Sequence, residues 1–129
     1  MLSIFRNKQE LGGNAPLIVF NDADIDQAVN SAIASKFRAS GQTCVCADRF
    51  LLQEGIEEEF LSKLCKKMQK INVGPGLRQG IKMGPLISQV AVRDVKQKVD
   101  DAIAEGAECI MGGHTLHDLG PNFLQPTVL

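Results

Sequence analysis

The sequence predicts an α/β fold: a largely parallel sheet with flanking helices. Three observations carry the prediction. Short apolar runs of strand length alternate with amphipathic stretches of helix length. The first run, Pro16-Leu17-Ile18-Val19-Phe20, is continuously apolar, as strands covered on both faces of a parallel sheet are. The 129 residues are enough for one domain with its own core.

Each element has its own signals. After the first strand, Asp22 or Asp24 can cap a helix whose apolar stripe is Ile25, Ala28, Val29, Ala32, Ile33 and Phe37. Asp24 and Asp26 lie at its positive end, Lys36 and Arg38 at its negative end, and Gly41 is placed to stop it. Residues Arg49 to Gln53 read as a second strand. Ile56, Phe60, Leu64, Met68 and Ile71 mark the next helix, acidic at Glu57, Glu58 and Glu59 and basic at Lys66, Lys67 and Lys70. From Asn72 to Pro85, glycine and proline predict loop. Ser88 then caps a third helix with the stripe Val92, Val95, Val99, Ala102 and Ile103, ended by Gly106. Ala107 to Met111 is expected to be a short strand. Thr127-Val128-Leu129 is expected to begin a last one, with loop between them.

Composition removes several functions. Net charge is −1, with 22% charged and 44% hydrophobic residues, and no run of one sign. Neither nucleic acid nor a membrane surface is an expected partner. No apolar stretch is long enough to span a bilayer, and the first residues form no complete targeting segment. The four cysteines do not make a dense disulfide framework, and Cys65 and Cys109 fall at apolar positions where buried thiols are expected.

Chemistry concentrates at Gly41-Gln42-Thr43-Cys44-Val45-Cys46. A cysteine on a loop after a helix, held by rigid elements, suits a nucleophile. An inert thiol fits the same spacing. Cys44 and Cys46 with His114 and His117 supply four zinc-type ligands, but C-x-C and H-x-x-H are not the usual finger spacings. Gly74, Gly76 and Gly80 do not follow the G-x-G-x-x-G spacing and do not stand between a strand and a helix.

The stretches ELGGNAPLIVFNDADIDQAV, SKFRASGQTCVCADRFLLQ, MGPLIS and NFLQPTVL, in that order, resemble the aldehyde dehydrogenase superfamily. The S-K-F-R-x-x-G-Q-T-C-V-C stretch is most similar to the succinate-semialdehyde dehydrogenases within it. The resemblance makes residues 10–129 part of a catalytic domain and residues 1–9 a divergent N-terminal segment, so the chain reads as a fragment. It implies that Cys44 attacks the aldehyde carbon to give a thiohemiacetal, which passes hydride to NAD or NADP and leaves a thioester. Glu10 then matches the base that activates water for hydrolysis, and Leu11 a position beside the cofactor. Arg38 matches the residue that pairs with the substrate's distal carboxylate. Cys46 matches a thiol that forms a reversible disulfide with the nucleophile in animal members.

The resemblance also implies a small aldehyde as partner and a homo-oligomeric full-length enzyme. It places the protein in the mitochondrial matrix if eukaryotic and the cytoplasm if bacterial. The family's dinucleotide-binding segment is not in the sequence, so the isolated chain is expected to be inactive. The other reading is a non-catalytic fragment that acts through full-length subunits.

Overall fold

The computed structural model describes residues 13–129. The chain forms strand β1 (Ala15–Val19), helix α1 (Ile25–Lys36), strand β2 (Ala47–Leu52), helix α2 (Glu57–Met68) and helix α3 (Gln89–Ala104). β1 and β2 pair in parallel, Leu17 opposite Phe50 and Val19 opposite Leu52. The α/β expectation with a parallel sheet therefore holds, here as a two-stranded sheet with helices.

Local chemistry explains the helices. The Asp24 side chain accepts from the Gln27 N–H at 3.0 Å and starts α1. α2 carries Glu57, Glu58 and Glu59 in its first turn and Lys66 and Lys67 in its last, complementing its dipole. The Ser88 hydroxyl accepts from the Ala91 N–H at 3.1 Å and starts α3. Lys63 joins two helices, lying 2.9 Å from Asp26 of α1 and 2.9 Å from Glu59 of its own helix. That ammonium holds Asp26 below the usual carboxylate range, and the two carboxylates raise Lys63. Both groups are at the surface, so the pair orients the helices more than it stabilises them.

The main core lies on one face of the sheet. Val29 and Ala32 of α1 and Phe60, Leu64 and Met68 of α2 are buried there, with Val19 and Ile56. Leu17, Phe50 and Leu52 pack against them. The Phe50 and Phe60 rings stand 6.4 Å apart at a tilt of 54°.

Four expectations are corrected. β1 is covered on one face only: Ile18 is 58% exposed, Phe20 62% and Leu51, across from Ile18, 51%. A single crossover places α1 on one side of the strand pair, and α2 packs on that same side. α1 ends at Lys36, one turn earlier than a stop at Gly41. Ala107 to Met111 forms no strand; Met111 and Val128 share one antiparallel bridge, because Gly112 (φ +88°) and Gly113 (φ +79°) turn the chain away at once. Among the thiols, Cys46 is the buried one, whereas Cys65 is half-buried and Cys109 exposed.

Candidate active site

The connection from α1 to β2 carries the thiols. Phe37 closes α1, and a short 3-10 turn follows at Arg38–Gly41. Inside it, Ala39 (φ +47°, ψ +37°), Ser40 (φ +58°, ψ +32°) and Gly41 (φ +77°) are all left-handed. Glycine adopts this region freely, but for alanine and serine it costs about 1–2 kcal/mol each. Ala39→Gly is therefore expected to raise unfolding stability by about 1 kcal/mol, less the extra freedom glycine gives the unfolded chain. Urea unfolding of the two proteins checks it; a loss of stability would show that Ala39 is not strained.

Three side-chain bonds hold the turn. The Ser40 hydroxyl donates to the Gly84 carbonyl at 3.0 Å. The Gln42 amide nitrogen donates to the Ala39 carbonyl at 3.1 Å. Its amide oxygen accepts from the Ile87 N–H at 2.8 Å.

A second turn follows directly. The Cys46 N–H donates to the Thr43 carbonyl at 3.1 Å, so Cys44 and Val45 are its two central residues. Both are exposed. Cys46 has no exposed surface, and its Sγ lies 2.9 Å from Thr43 Oγ1 and 3.8 Å from the Arg38 carbonyl. β2 is locked onto α1 just beyond, where the Ala47 N–H donates to the Ser35 hydroxyl and Lys36 pairs with Asp48. An accessible thiol thus sits at the tip of a turn with rigid elements on either side, the arrangement a nucleophile requires.

The residues singled out in the sequence fall as follows. Cys44 is at the turn tip. Cys46 is under it. Arg38 is exposed, begins the 3-10 turn instead of sitting in the last turn of α1, and makes no ion pair among the described residues. Its carbonyl is the one approached by Cys46 Sγ, so the Arg38 backbone and the thiol turn are neighbours. Glu10, Leu11 and the segment 1–9 lie outside the described residues. Gly13, three residues after Glu10, lies against the turn: a Cβ placed on it would be 3.9 Å from the Cys44 Cα. Ser40, Gln42 and Thr43 were missed by reasoning from sequence. The available signal was three polar side chains around a helix-stopping glycine and next to a cysteine.

A cleft of about 920 Å³ borders the turn on its other side, with Ser40, Gly41 and Gln42 in its wall. Phe50, Phe60, Leu64, Val99 and Leu124 line it, and Cys44 and Arg38 do not. It is a mainly apolar gap between the core and α3. The glycine-rich loop is closed by a bridge between Val73 and Met83, with the Asn72 carbonyl accepting from Lys82 and Met83. It is not a strand–turn–helix cradle, so it does not fit the phosphates of a dinucleotide. Among the described residues no three His, Cys, Asp or Glu side chains are grouped to hold a metal ion, and no helix is long and apolar enough to cross a membrane.

An α/β unit that presents an exposed cysteine on a turn between helix and strand is compatible with several thiol chemistries; comparison with known proteins selects one class. Residues 3–129 match the model of the aldehyde dehydrogenase family, and the chain belongs to that family. It is 51% identical over 120 residues to the succinate-semialdehyde dehydrogenase [NADP(+)] of Escherichia coli (strain K12), covering 93% of this chain and 25% of that protein. It is 50% identical over 128 residues to the mitochondrial succinate-semialdehyde dehydrogenase of Mus musculus, covering 98% of this chain and 24% of that protein. The crystal structure of succinate-semialdehyde dehydrogenase from Burkholderia pseudomallei superposes with a TM-score of 0.88 at 50% identity, over 92% of this chain and 24% of that one. The chain thus spans about a quarter of the length of these relatives.

Proposed function

We propose that this chain is the nucleophile-bearing part of a succinate-semialdehyde dehydrogenase, with Cys44 as the attacking thiol. The observation that carries it is the placement of Cys44: exposed, at the tip of a hydrogen-bonded turn, in a chain 51% identical to an enzyme of that name. In this reading the Cys44 thiol loses its proton to solvent water, and the thiolate sulfur forms a C–S bond to the aldehyde carbon as the C=O π pair moves onto oxygen. The Cys44 N–H has no acceptor among the described residues, which leaves it free to donate to that oxyanion. Glu10 is the proposed base that takes a proton from the hydrolytic water, and Leu11 the proposed neighbour of the cofactor. Cofactor use, NAD or NADP, rests in this reading on the relatives, since the described residues hold no cradle that fits it. Compartment, mitochondrial or cytoplasmic, follows whichever kind of relative this chain accompanies, and oligomeric assembly belongs to the longer enzyme.

Arg38 is the proposed partner of the substrate's distal carboxylate. It is exposed, free of ion pairs among the described residues, and adjacent through its backbone to the Cys44 turn. A guanidinium pairs with a carboxylate through two hydrogen bonds. The test uses an E. coli enzyme in which residues 10–129 of this chain replace the matching segment. Arg38→Ala in that chimera is expected to lower kcat/KM for succinate semialdehyde by about 2–4 kcal/mol, tens to hundreds of fold. An uncharged aldehyde of similar length should lose little. Equal losses on both would show that Arg38 is structural and that the substrate is not selected by its carboxylate.

The open sheet face favours one further reading. Ile18, Phe20 and Leu51 form an uncovered apolar surface on a parallel strand pair, a surface such sheets normally bury. In this reading the chain acts through contact with other aldehyde dehydrogenase polypeptide, and does no chemistry alone.

A further inference from the structure

We propose that Gln42 is a positioning residue for Cys44, acting by clamping the left-handed turn Ala39–Gly41 to the segment Gly84–Ile87. The inference rests on Cys44 as the reactive thiol. It identifies what fixes that thiol in space.

The backbone before Cys44 has two long hydrogen bonds of its own, Ser40 N–H to the Phe37 carbonyl and Gln42 N–H to the Ala39 carbonyl, both at 3.2 Å, and neither ties it to the rest of the fold. Two consecutive non-glycine residues, Ala39 and Ser40, sit in a region that L-residues avoid. Such conformations persist where surrounding contacts over-determine them. Here the contacts are few and identifiable. Gln42 uses both ends of one amide: its nitrogen ties back to Ala39 at 3.1 Å, and its oxygen ties across to the Ile87 N–H at 2.8 Å. Ser40 makes a second cross-tie, to Gly84, at 3.0 Å. The segment reached is itself anchored. Leu86 is buried, packs with Val92 and Leu124, and donates its N–H to the Asn122 carbonyl at 2.8 Å. Ser88, the next residue after Ile87, caps α3.

The thiol's position thus depends on two ties that join residues 44 and 45 positions apart in sequence. Gln42 stands two residues before Cys44 and one before Thr43, the residue whose carbonyl closes the Cys44 turn. Releasing Gln42 would let Ala39 and Ser40 relax toward ordinary backbone, and the turn tip would swing with them. Neither Gln42 nor Ser40 is placed to touch a substrate in this account; both act through the backbone.

The test uses the 129-residue chain with Cys65→Ala and Cys109→Ser, so that Cys44 is the accessible thiol, and a nitroxide attached to Cys44. Gln42→Ala and, separately, Ser40→Ala are expected to shorten the label's rotational correlation time at least twofold, with circular dichroism showing that each protein remains folded. A label on Cys109 in a Cys44→Ser chain should keep its mobility in both variants. Loss of fold stability alone would not produce that local difference. If one variant does not fold, the other carries the comparison. Amide exchange in the unsubstituted chain supplies a measurement that needs no variant: the Ile87 N–H should exchange at least tenfold more slowly than an unstructured amide. An Ile87 amide that exchanges freely, or a Cys44 label equally ordered with and without Gln42, would overturn the proposal. None of these measurements uses catalysis, so they stand apart from a failure of Cys44 as nucleophile, which activity assays of Cys44→Ser would reveal.

Discussion

Cys44→Ser, introduced into the chimeric enzyme described above, is expected to abolish aldehyde oxidation, with a loss of about 10³-fold or more in kcat. The size follows from the chemistry of sulfur against oxygen. At neutral pH an ordinary cysteine is a few per cent thiolate and intrinsically a strong nucleophile, whereas a serine hydroxyl is essentially un-ionised without a dedicated base. In the proposed function Glu10 is assigned to water and not to this hydroxyl. The substitution exchanges one atom on an exposed turn tip, so the turn should remain, and the loss would belong to reactivity and not to folding. Cys46→Ser is the control. Its Sγ is buried against Thr43 Oγ1 and the Arg38 carbonyl, where a hydroxyl can still hydrogen-bond, so activity under reducing conditions should be largely kept. Retention of activity in Cys44→Ser would remove Cys44 as nucleophile. The same pair of variants tests the proposed thiol switch, since mild peroxide followed by dithiothreitol should inactivate and restore the parent but leave Cys46→Ser active. A bond from Cys44 to Cys46 would require the buried sulfur to leave Thr43 and the turn to open.

The helices were legible because their signals are local. Asp24 and Ser88 each cap the helix they announce, and the four-residue spacing of Phe60, Leu64 and Met68 is the buried face itself. Where α1 stops was less legible. Gly41 is a stop signal by type, but three left-handed residues, not one, make the turn, and two of them are Ala39 and Ser40. Sequence offers no cue for that, because the compensation comes from Gly84 and Ile87. The apolar run of β1 was read as covered on both faces, yet what covers a strand is set by other elements, and α1 and α2 take one side only. Cys46 shows the same limit. Its burial is decided by the fold of the 43–46 turn over the end of α1, while the apolar patterning around Cys109 suggested burial that the fold does not provide. The site was legible as a cysteine after a helix-stopping glycine; its supports, which depend on long-range contacts, were not.

Phe60→Ala is expected to destabilise the chain by about 3–5 kcal/mol. Phe60 has no exposed surface. It stands where α2 meets the sheet, tilted against Phe50, within a cluster that holds α1 through Val29 and Ala32. Removing the ring deletes its transfer free energy and leaves a cavity that two helices and a strand pair cannot close without moving. The loss weighs more here than in a larger domain. Only one face of the sheet is packed, and total stability of an ordinary domain is only about 5–15 kcal/mol. Urea unfolding should therefore show the midpoint fall sharply, or the cooperative transition disappear. Phe60→Leu keeps much of the volume and should cost clearly less. The effect should reach the thiol as well, because α1 is the support from which the Arg38–Gly41 turn springs, and α1 is held to the sheet by this cluster and by the Ser35 and Lys36 ties. A Phe60→Ala chain with unchanged unfolding would mean that α2 contributes little to the core, and that the α1 ties alone hold the platform under Cys44.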